Sequence, residues 1–181
     1  WCYISNMTTR DITRWQDIPT IPDVVFKERV AGEWKILTTK DIFSNKKVLV
    51  FSLPGAFTPT CSGKQLPNFE RLYEEFKLRG IDEVYCLSVN DSFVMNAWAD
   101  ELNVTKVKML PDGNGHFTRR MGMLINKTHL GFGMRAWRYA FIANDGKIEK
   151  WFEEPGINDR GSDMDPYGDT DPENILKLLQ H

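Results

Sequence analysis

The stretch KVLVFSLPGAFTPTC, residues 47–61, decides the fold of this chain. Its first half, residues 47–53, is a continuous apolar run of strand length, the pattern of a strand covered on both faces. Pro54 ends the strand, because proline has no N–H to give to a sheet ladder. The loop GAFTPT leads to Cys61, and residues 62–80 behind it carry Leu66, Phe69, Leu72, Tyr73 and Phe76 at helical spacing, with a kink expected at Pro67. A cysteine thus stands at the turn from a buried strand into a helix.

Outward from this unit, residues 82–89 (DEVYCLSV) read as a second buried strand. Asp91 can cap a helix whose apolar face is Phe93, Val94, Ala97 and Trp98. On the N-terminal side, Val24, Val25 and Phe26, then Trp34, Ile36 and Leu37, flank the Ala31-Gly32 turn as a β-hairpin, followed by a helical turn over residues 39–43. On the C-terminal side come a short strand (106–110), a PDGNG turn and a helix (116–123). Residues 135–152 then predict a hairpin about Asn144-Asp145-Gly146, with Tyr139, Phe141, Ile148 and Trp151 on strand spacing. Asp171 and Pro172 open a last helix as N-cap and first residue, with Ile175, Leu176, Leu178 and Leu179 inward. The order βαβα then ββα predicts an α/β, thioredoxin-like sandwich with a central mixed β-sheet flanked by helices. Residues 21–181 are expected to form one domain after an N-terminal extension, 1–20.

Composition narrows the function. With 181 residues, 41% of them apolar, the chain can bury one substantial core. The net charge is −2 and the basic residues are scattered, so neither nucleic acid nor an anionic membrane is an expected partner. No apolar stretch approaches the roughly 20 residues that span a bilayer. WCYISNMTTR has neither a basic n-region nor a long apolar run, so no secretory signal is expected, and residues 1–6 are left open between native and appended sequence. Three cysteines, Cys2, Cys61 and Cys86, are too few for a disulfide framework and point to a reducing compartment, cytoplasmic or organellar, mitochondria included. The N-x-[S/T] matches at Asn6, Asn103 and Asn126 are read as chance.

Cys61 has a bland reading, a buried structural thiol, and a chemical one, a nucleophilic thiolate. A thiol with pKa about 8.5 is only about 3% ionised at pH 7, and lowering the pKa to about 6 takes about 3.4 kcal/mol. A helix N-terminus supplies about 0.3–1 kcal/mol, so a cation is also needed. The Thr58 hydroxyl, three residues earlier, can accept a peroxide proton or donate to the thiolate, and the Cys61 N–H can hold the attacked oxygen. Pro54 offers an apolar wall.

PGAFTPTC, residues 54–61, resembles the peroxiredoxin signature, Pro, three residues, Thr, two residues, Cys; its GAF and the following Ser62 look like the type II or peroxiredoxin-5 branch. SVNDSFVMNAW (88–98), PDGNGHFT (111–118) and GMRAWRYAF (133–141) are similar to later blocks of that branch. The resemblance implies a thioredoxin-like fold and a peroxidase that carries no metal or bound cofactor, with Pro54, Thr58, Cys61 and Arg138 at the active-site positions. Arg138 is chosen over Arg135 because the family pattern places the cation directly before the aromatic residue, here Tyr139. Arg135, an odd number of residues away, should face the other side of a regular strand as a surface or interface charge. The resemblance further implies hydrogen peroxide and small organic hydroperoxides as substrates and a Cys61 sulfenic acid intermediate. Regeneration is expected from an external thiol, glutaredoxin with glutathione or thioredoxin, within a homodimer. Cys86, inside VYCLSV, is either a small core residue or a resolving thiol, and the second role is made difficult by geometry: a bridge needs Cα atoms within about 7 Å, which a helix start and the neighbouring strand core reach only with local unwinding of the helix. Cys2 is read as a bystander. Phe57 and Phe93 are candidates for either an interface or the core.

Other chemistries fit poorly. Cys61 is followed by Ser62, Gly63 and Lys64, so no C-x-x-C exists for a disulfide reductase. None of His116, His129 and His181 lies in a cysteine-hydrolase motif. The run Asp163, Asp165, Gly168, Asp169, Asp171 partly imitates a calcium loop, but Tyr167 and Asn174 take ligand positions, and a solvated loop is expected. A non-catalytic peroxide sensor using the same thiolate is the remaining alternative.

Overall fold

The computed structural model describes residues 20–161 and 164–179. Cys2, Asn6, Asp163, His181 and the expected extension up to residue 19 lie outside them. The first ribbon pairs β1 (Val25–Val30) with β2 (Glu33–Thr38), antiparallel, turning at Ala31-Gly32 where both residues have positive φ. A short α1 (Thr39–Phe43) follows, started by a capping box in which Thr38 and Asp41 satisfy each other's backbone N–H.

The central sheet has the order β5–β4–β3–β8–β9. Its strands are β3 (Lys47–Ser52), β4 (Glu83–Ser88), β5 (Lys108–Pro111), β8 (Tyr139–Asn144) and β9 (Lys147–Glu153). The first three are parallel to one another, β8 pairs antiparallel with β3, and β9 pairs antiparallel with β8, which is the mixed sheet expected. Strand β3 is central because it is apolar on both faces. Val48 and Val50 join a cluster with Phe26, Phe43, Phe117 and Phe141, whereas Leu49, Phe51 and Leu53 join a second cluster with Leu66, Phe69, Phe76 and Trp98. Cys61 and Cys86 both belong to the second cluster.

The helix expected over 62–80 is divided differently from its prediction. Residues Cys61–Gln65 form a wide π turn in which the Leu66 N–H bonds to the Cys61 carbonyl. Pro67 then sits in the first turn of α2 (Leu66–Arg71), and the break from α3 (Tyr73–Leu78) falls at Leu72. Proline cannot donate back into the preceding turn, and an extra residue inserted just ahead of it leaves that turn wide instead of bending the helix at the ring.

Asp91 caps α4 (Ser92–Glu101), its carboxylate accepting from the Val94 N–H. Of the predicted face Trp98 is buried, joined by Ser92 and Met95, whereas Phe93, 57% exposed, turns outward onto Trp34 of β2, and Val94 and Ala97 are not buried. After α5 (His116–Arg120) the chain makes a second ribbon, β6 (Leu124–Asn126) with β7 (Met134–Ala136). The hairpin expected over 135–152 is therefore interrupted: Arg135 belongs to this small ribbon, and only Tyr139 onward enters the central sheet. In α6 (Pro172–Leu178), capped by Asp171, Ile175 and Leu176 are inward while Leu178 is exposed. Among the described residues, no helix is long and apolar enough to cross a membrane.

Candidate active site

Cys61 stands at the head of the π turn, just past the C-terminal end of β3. The Ser62 N–H reaches back to the Thr58 carbonyl (2.9 Å), which closes the first helical turn around the cysteine. Trp98, buried against the same turn, donates its indole N–H to Ser62 Oγ at 2.8 Å and fixes the turn against α4. The loop before it is pinned from two sides: Ala56 N–H donates to Asn90 Oδ1 (3.0 Å), and the Pro54 carbonyl accepts from Arg135 (3.3 Å). Phe57 adopts a positive φ of 64° and remains exposed, so this bulky residue is strained at the bend of the loop.

A cation faces the Cys61 sulfur, and it is Arg138. Its Nη1 lies 3.5 Å from Cys61 Sγ and also donates to Gln65 Oε1, while Nη2 pairs with Asp165 at 2.5 Å. Burial opposes the charge on this nearly enclosed guanidinium, yet facing Cys61 and Asp165 raises its pKa above the ordinary arginine value. Arg138 lies in the bend just before β8 and is held through its backbone: its carbonyl accepts from the Glu154 N–H, and the neighbouring Trp137 carbonyl accepts from Ser52 Oγ of β3. The site thus spans both halves of the sheet.

Thr58 Oγ1 donates to the Gly55 carbonyl at 2.8 Å. With its proton committed there, the hydroxyl oxygen presents lone pairs, which selects proton acceptance over donation to the thiolate. Pro54, Thr58 and Arg138 line a pocket of about 460 Å³, walled by Leu130, Phe132 and Met164. Cys61 itself has no exposed surface and lies behind this lining, in contact with Arg138.

Two expectations need correction. Arg135 is not a charge on the far side of the sheet: its Nε donates to the Phe132 carbonyl, its guanidinium stacks on the Phe132 ring at 5.2 Å, and its Nη1 holds Pro54. The parity argument fails because Arg135 belongs to the small β6–β7 ribbon whereas Arg138 lies outside any strand, in the bend between Ala136 and Tyr139, across which strand parity does not carry. Nor is the acidic run merely solvated. Glu154, buried to 1% exposure, accepts from the backbone of Gly168, Asp169 and Thr170 and from the Thr170 hydroxyl, and folds the loop so that Asp165 reaches both Arg138 and Thr60. Gln65 and Asp165, which contact Arg138, and Glu154, which anchors the acidic loop, were not assigned to the site from the sequence. Only Gln65, four residues past Cys61 on the same turn, left a signal that helical spacing could have found.

Cys86 lies in the middle of β4, opposite Phe51 of β3 and Met109 of β5, and is fully buried. Burial, and then the charge of Cys61, push its thiol well above the usual range. Of the described histidines, His129 edges the pocket and His116 opens α5. Among the described residues, no group of three or more His, Cys, Asp or Glu side chains gathers as a metal site.

A thiol at the head of a helix, faced by a guanidinium across a thioredoxin-like sheet, defines a thiol-based redox protein. The Redoxin family model matches residues 19–166. The chain is 56% identical over 169 residues to peroxiredoxin y4vD of Sinorhizobium fredii, covering 88% of this chain and 89% of that one. It is 47% identical over 159 residues to hybrid peroxiredoxin hyPrx5 of Haemophilus influenzae, covering 88% of this chain and 64% of that one. The crystal structure of Plasmodium falciparum antioxidant protein (1-Cys peroxiredoxin) is similar at a TM-score of 0.83 and 36% identity, covering 88% of this chain and 95% of that one. The chain belongs to the redoxin family, and within it to the peroxiredoxins, which are thiol-dependent peroxidases. The resemblance read from residues 54–61 and the thioredoxin-like fold are both borne out.

Proposed function

We propose that Cys61, as a thiolate, attacks the terminal oxygen of hydrogen peroxide or a small organic hydroperoxide. The observation that carries this reading is the Arg138 guanidinium 3.5 Å from the Cys61 sulfur in a fully buried setting. There the anion is stabilised by the cation and by the dipole of the helical turn, and a low local dielectric strengthens both. An S–O bond forms as the O–O bond breaks. The proton of the attacked oxygen passes by way of Thr58 Oγ1 to the departing oxygen, so that water or an alcohol leaves, and Cys61 is left as sulfenate, which protonates to the sulfenic acid. Pro54, with no N–H to offer, keeps competing donors and water from the sulfur.

The sulfenic acid is regenerated from outside the chain. One thiol forms a mixed disulfide with Cys61 and releases water, and a second thiol displaces Cys61 in its reduced form. Glutaredoxin with glutathione, or thioredoxin, supplies these thiols. Cys86 suits the resolving role poorly: it is held in a strand centre with neighbours on both sides, and its raised pKa leaves little thiolate. In the cell the protein acts in antioxidant defence as a homodimer, in the cytoplasm or an organelle. Mass spectrometry after one equivalent of peroxide tests the scheme: a Cys61 sulfenic acid or its external mixed disulfide is expected, whereas a Cys61–Cys86 crosslink would overturn the external route. Turnover of many equivalents with glutaredoxin or thioredoxin separates the peroxidase from a one-equivalent sensor. Unchanged peroxide consumption in Cys61→Ser would overturn the assignment altogether.

A further inference from the structure

Asp165 is the feature of the pocket that the peroxidase chemistry does not require. Its two carboxylate oxygens are divided between opposite walls: Oδ1 pairs with Arg138 Nη2 at 2.5 Å, and Oδ2 accepts from Thr60 Oγ1 at 2.9 Å. Thr60 immediately precedes Cys61, and Arg138 touches its sulfur, so this one carboxylate ties together the two segments that meet at the thiol. The chain accepts a cost to place it there. Asp165 has φ of 49°, in the left-handed region that a non-glycine residue rarely occupies, and it is followed by Pro166. The loop behind it is anchored on the buried Glu154, and Tyr167 lies with its ring 5.7 Å from the Arg138 guanidinium.

We propose that Asp165 is a positioning residue for the peroxidase reaction: it orients the Arg138 guanidinium toward Cys61 and, by its charge, offsets part of the positive field that Arg138 presents to the sulfur. The proposal rests on Cys61 being the nucleophile. It separates two properties of the cation, its direction and its strength. A carboxylate that fixes direction while subtracting strength leaves the thiolate correctly faced and less strongly stabilised than Arg138 alone would make it. The other charged or titratable groups around Cys61 are few. Cys86 faces it from β4, and Lys64 follows on its own turn. Lys127 and His129 edge the pocket, and Arg135 is engaged with Pro54. Among the described residues, Asp165 is the carboxylate that directly contacts Arg138.

The test is the pH dependence of Cys61 alkylation by a neutral haloacetamide, followed on the Cys61 peptide by mass spectrometry. Asparagine at position 165 keeps an acceptor for Arg138 and a partner for Thr60 but removes the charge. For Asp165→Asn the acid limb of the profile is expected to move to lower pH by about 0.3 unit or more. The displacement should shrink in high salt, because the Asp165 side chain is 51% exposed. Asp165→Ala loses both properties, so its profile should lie at higher pH than that of Asp165→Asn, with kcat/KM for peroxide lowered; if the alanine variant does not fold, the asparagine variant carries the test. Asp169→Asn, at an exposed carboxylate of the same loop, is the control and should leave the profile in place. A displacement of less than about 0.3 unit in Asp165→Asn, a displacement to higher pH, or an equal effect in Asp169→Asn would overturn the proposal. Alkylation needs no turnover, so this failure is distinct from failure of the peroxidase reading, which peroxide consumption by Cys61→Ser decides.

Discussion

Cys61 and Cys86 lie in the same apolar cluster, both fully buried, yet their surroundings assign them different chemistry. Cys86 occupies a strand centre, with Phe51 and Met109 as its strand neighbours and burial as the main influence on its thiol. Cys61 sits at the head of a π turn with a guanidinium on its sulfur. Burial alone silences a thiol, because the anion loses hydration and gains nothing in return. Burial beside a cation does the opposite, since the same low dielectric strengthens the attraction. The difference lies in the direction from which the second half of the sheet approaches.

That contrast can be broken experimentally. The largest effect is expected for Cys61→Ser, which should lower peroxide consumption by at least about a thousandfold, whereas Cys86→Ser should retain most of it in the same stopped-flow assay. Next comes Arg138→Gln. Loss of the cation should cost about 10²–10³ in kcat/KM and move the acid limb of the pH–rate profile to higher pH, bringing Cys61 closer to the condition of Cys86. A smaller loss, about 10–100-fold with the pH profile in place, is expected for Thr58→Val, which removes the proton acceptor but not the charge.

The smallest effect concerns stability. The raised pKa of folded Cys86 means that the folded state holds its proton more tightly than the unfolded state does. Its contribution is therefore complete below the unfolded value, about 8.5, and declines as pH rises from there toward the folded value. Thermal melts between neutral and alkaline pH should fall less steeply for Cys86→Ala than for the native chain. An equal slope in the two would show that Cys86 ionises as readily as an exposed thiol and would remove the distinction between the two cysteines.

Much of the architecture is local and could be read from the chain. The apolar run of β3, the Ala31-Gly32 and Asn144-Asp145-Gly146 turns and the caps at Asp91 and Asp171 each follow from a few neighbouring residues. What failed was also physically specific. The outward turn of Phe93 follows from a distant ring, Trp34, in the first ribbon, and Arg29 lies over both rings. The fate of Arg135 depends on a ribbon change at Trp137, where strand parity no longer carries across.

For the site, the sequence by itself determined the segment proposed to carry the nucleophile: Pro54, Thr58 and Cys61 lie within eight consecutive residues, a loop and the helical turn it enters, and their short spacing keeps them together. Arg138 could be named only by resemblance, because its approach to Cys61 is a contact between residues 77 positions apart. The tertiary structure alone decided that Arg135 braces Pro54, that Glu154 gathers the acidic loop, and that Asp165 closes onto both Arg138 and Thr60. Local spacing fixes which side chains share a turn. Which charges face each other across the molecule is set by the pairing of β3 with β8 and by the loop that returns over them, and no periodicity in the chain encodes that meeting.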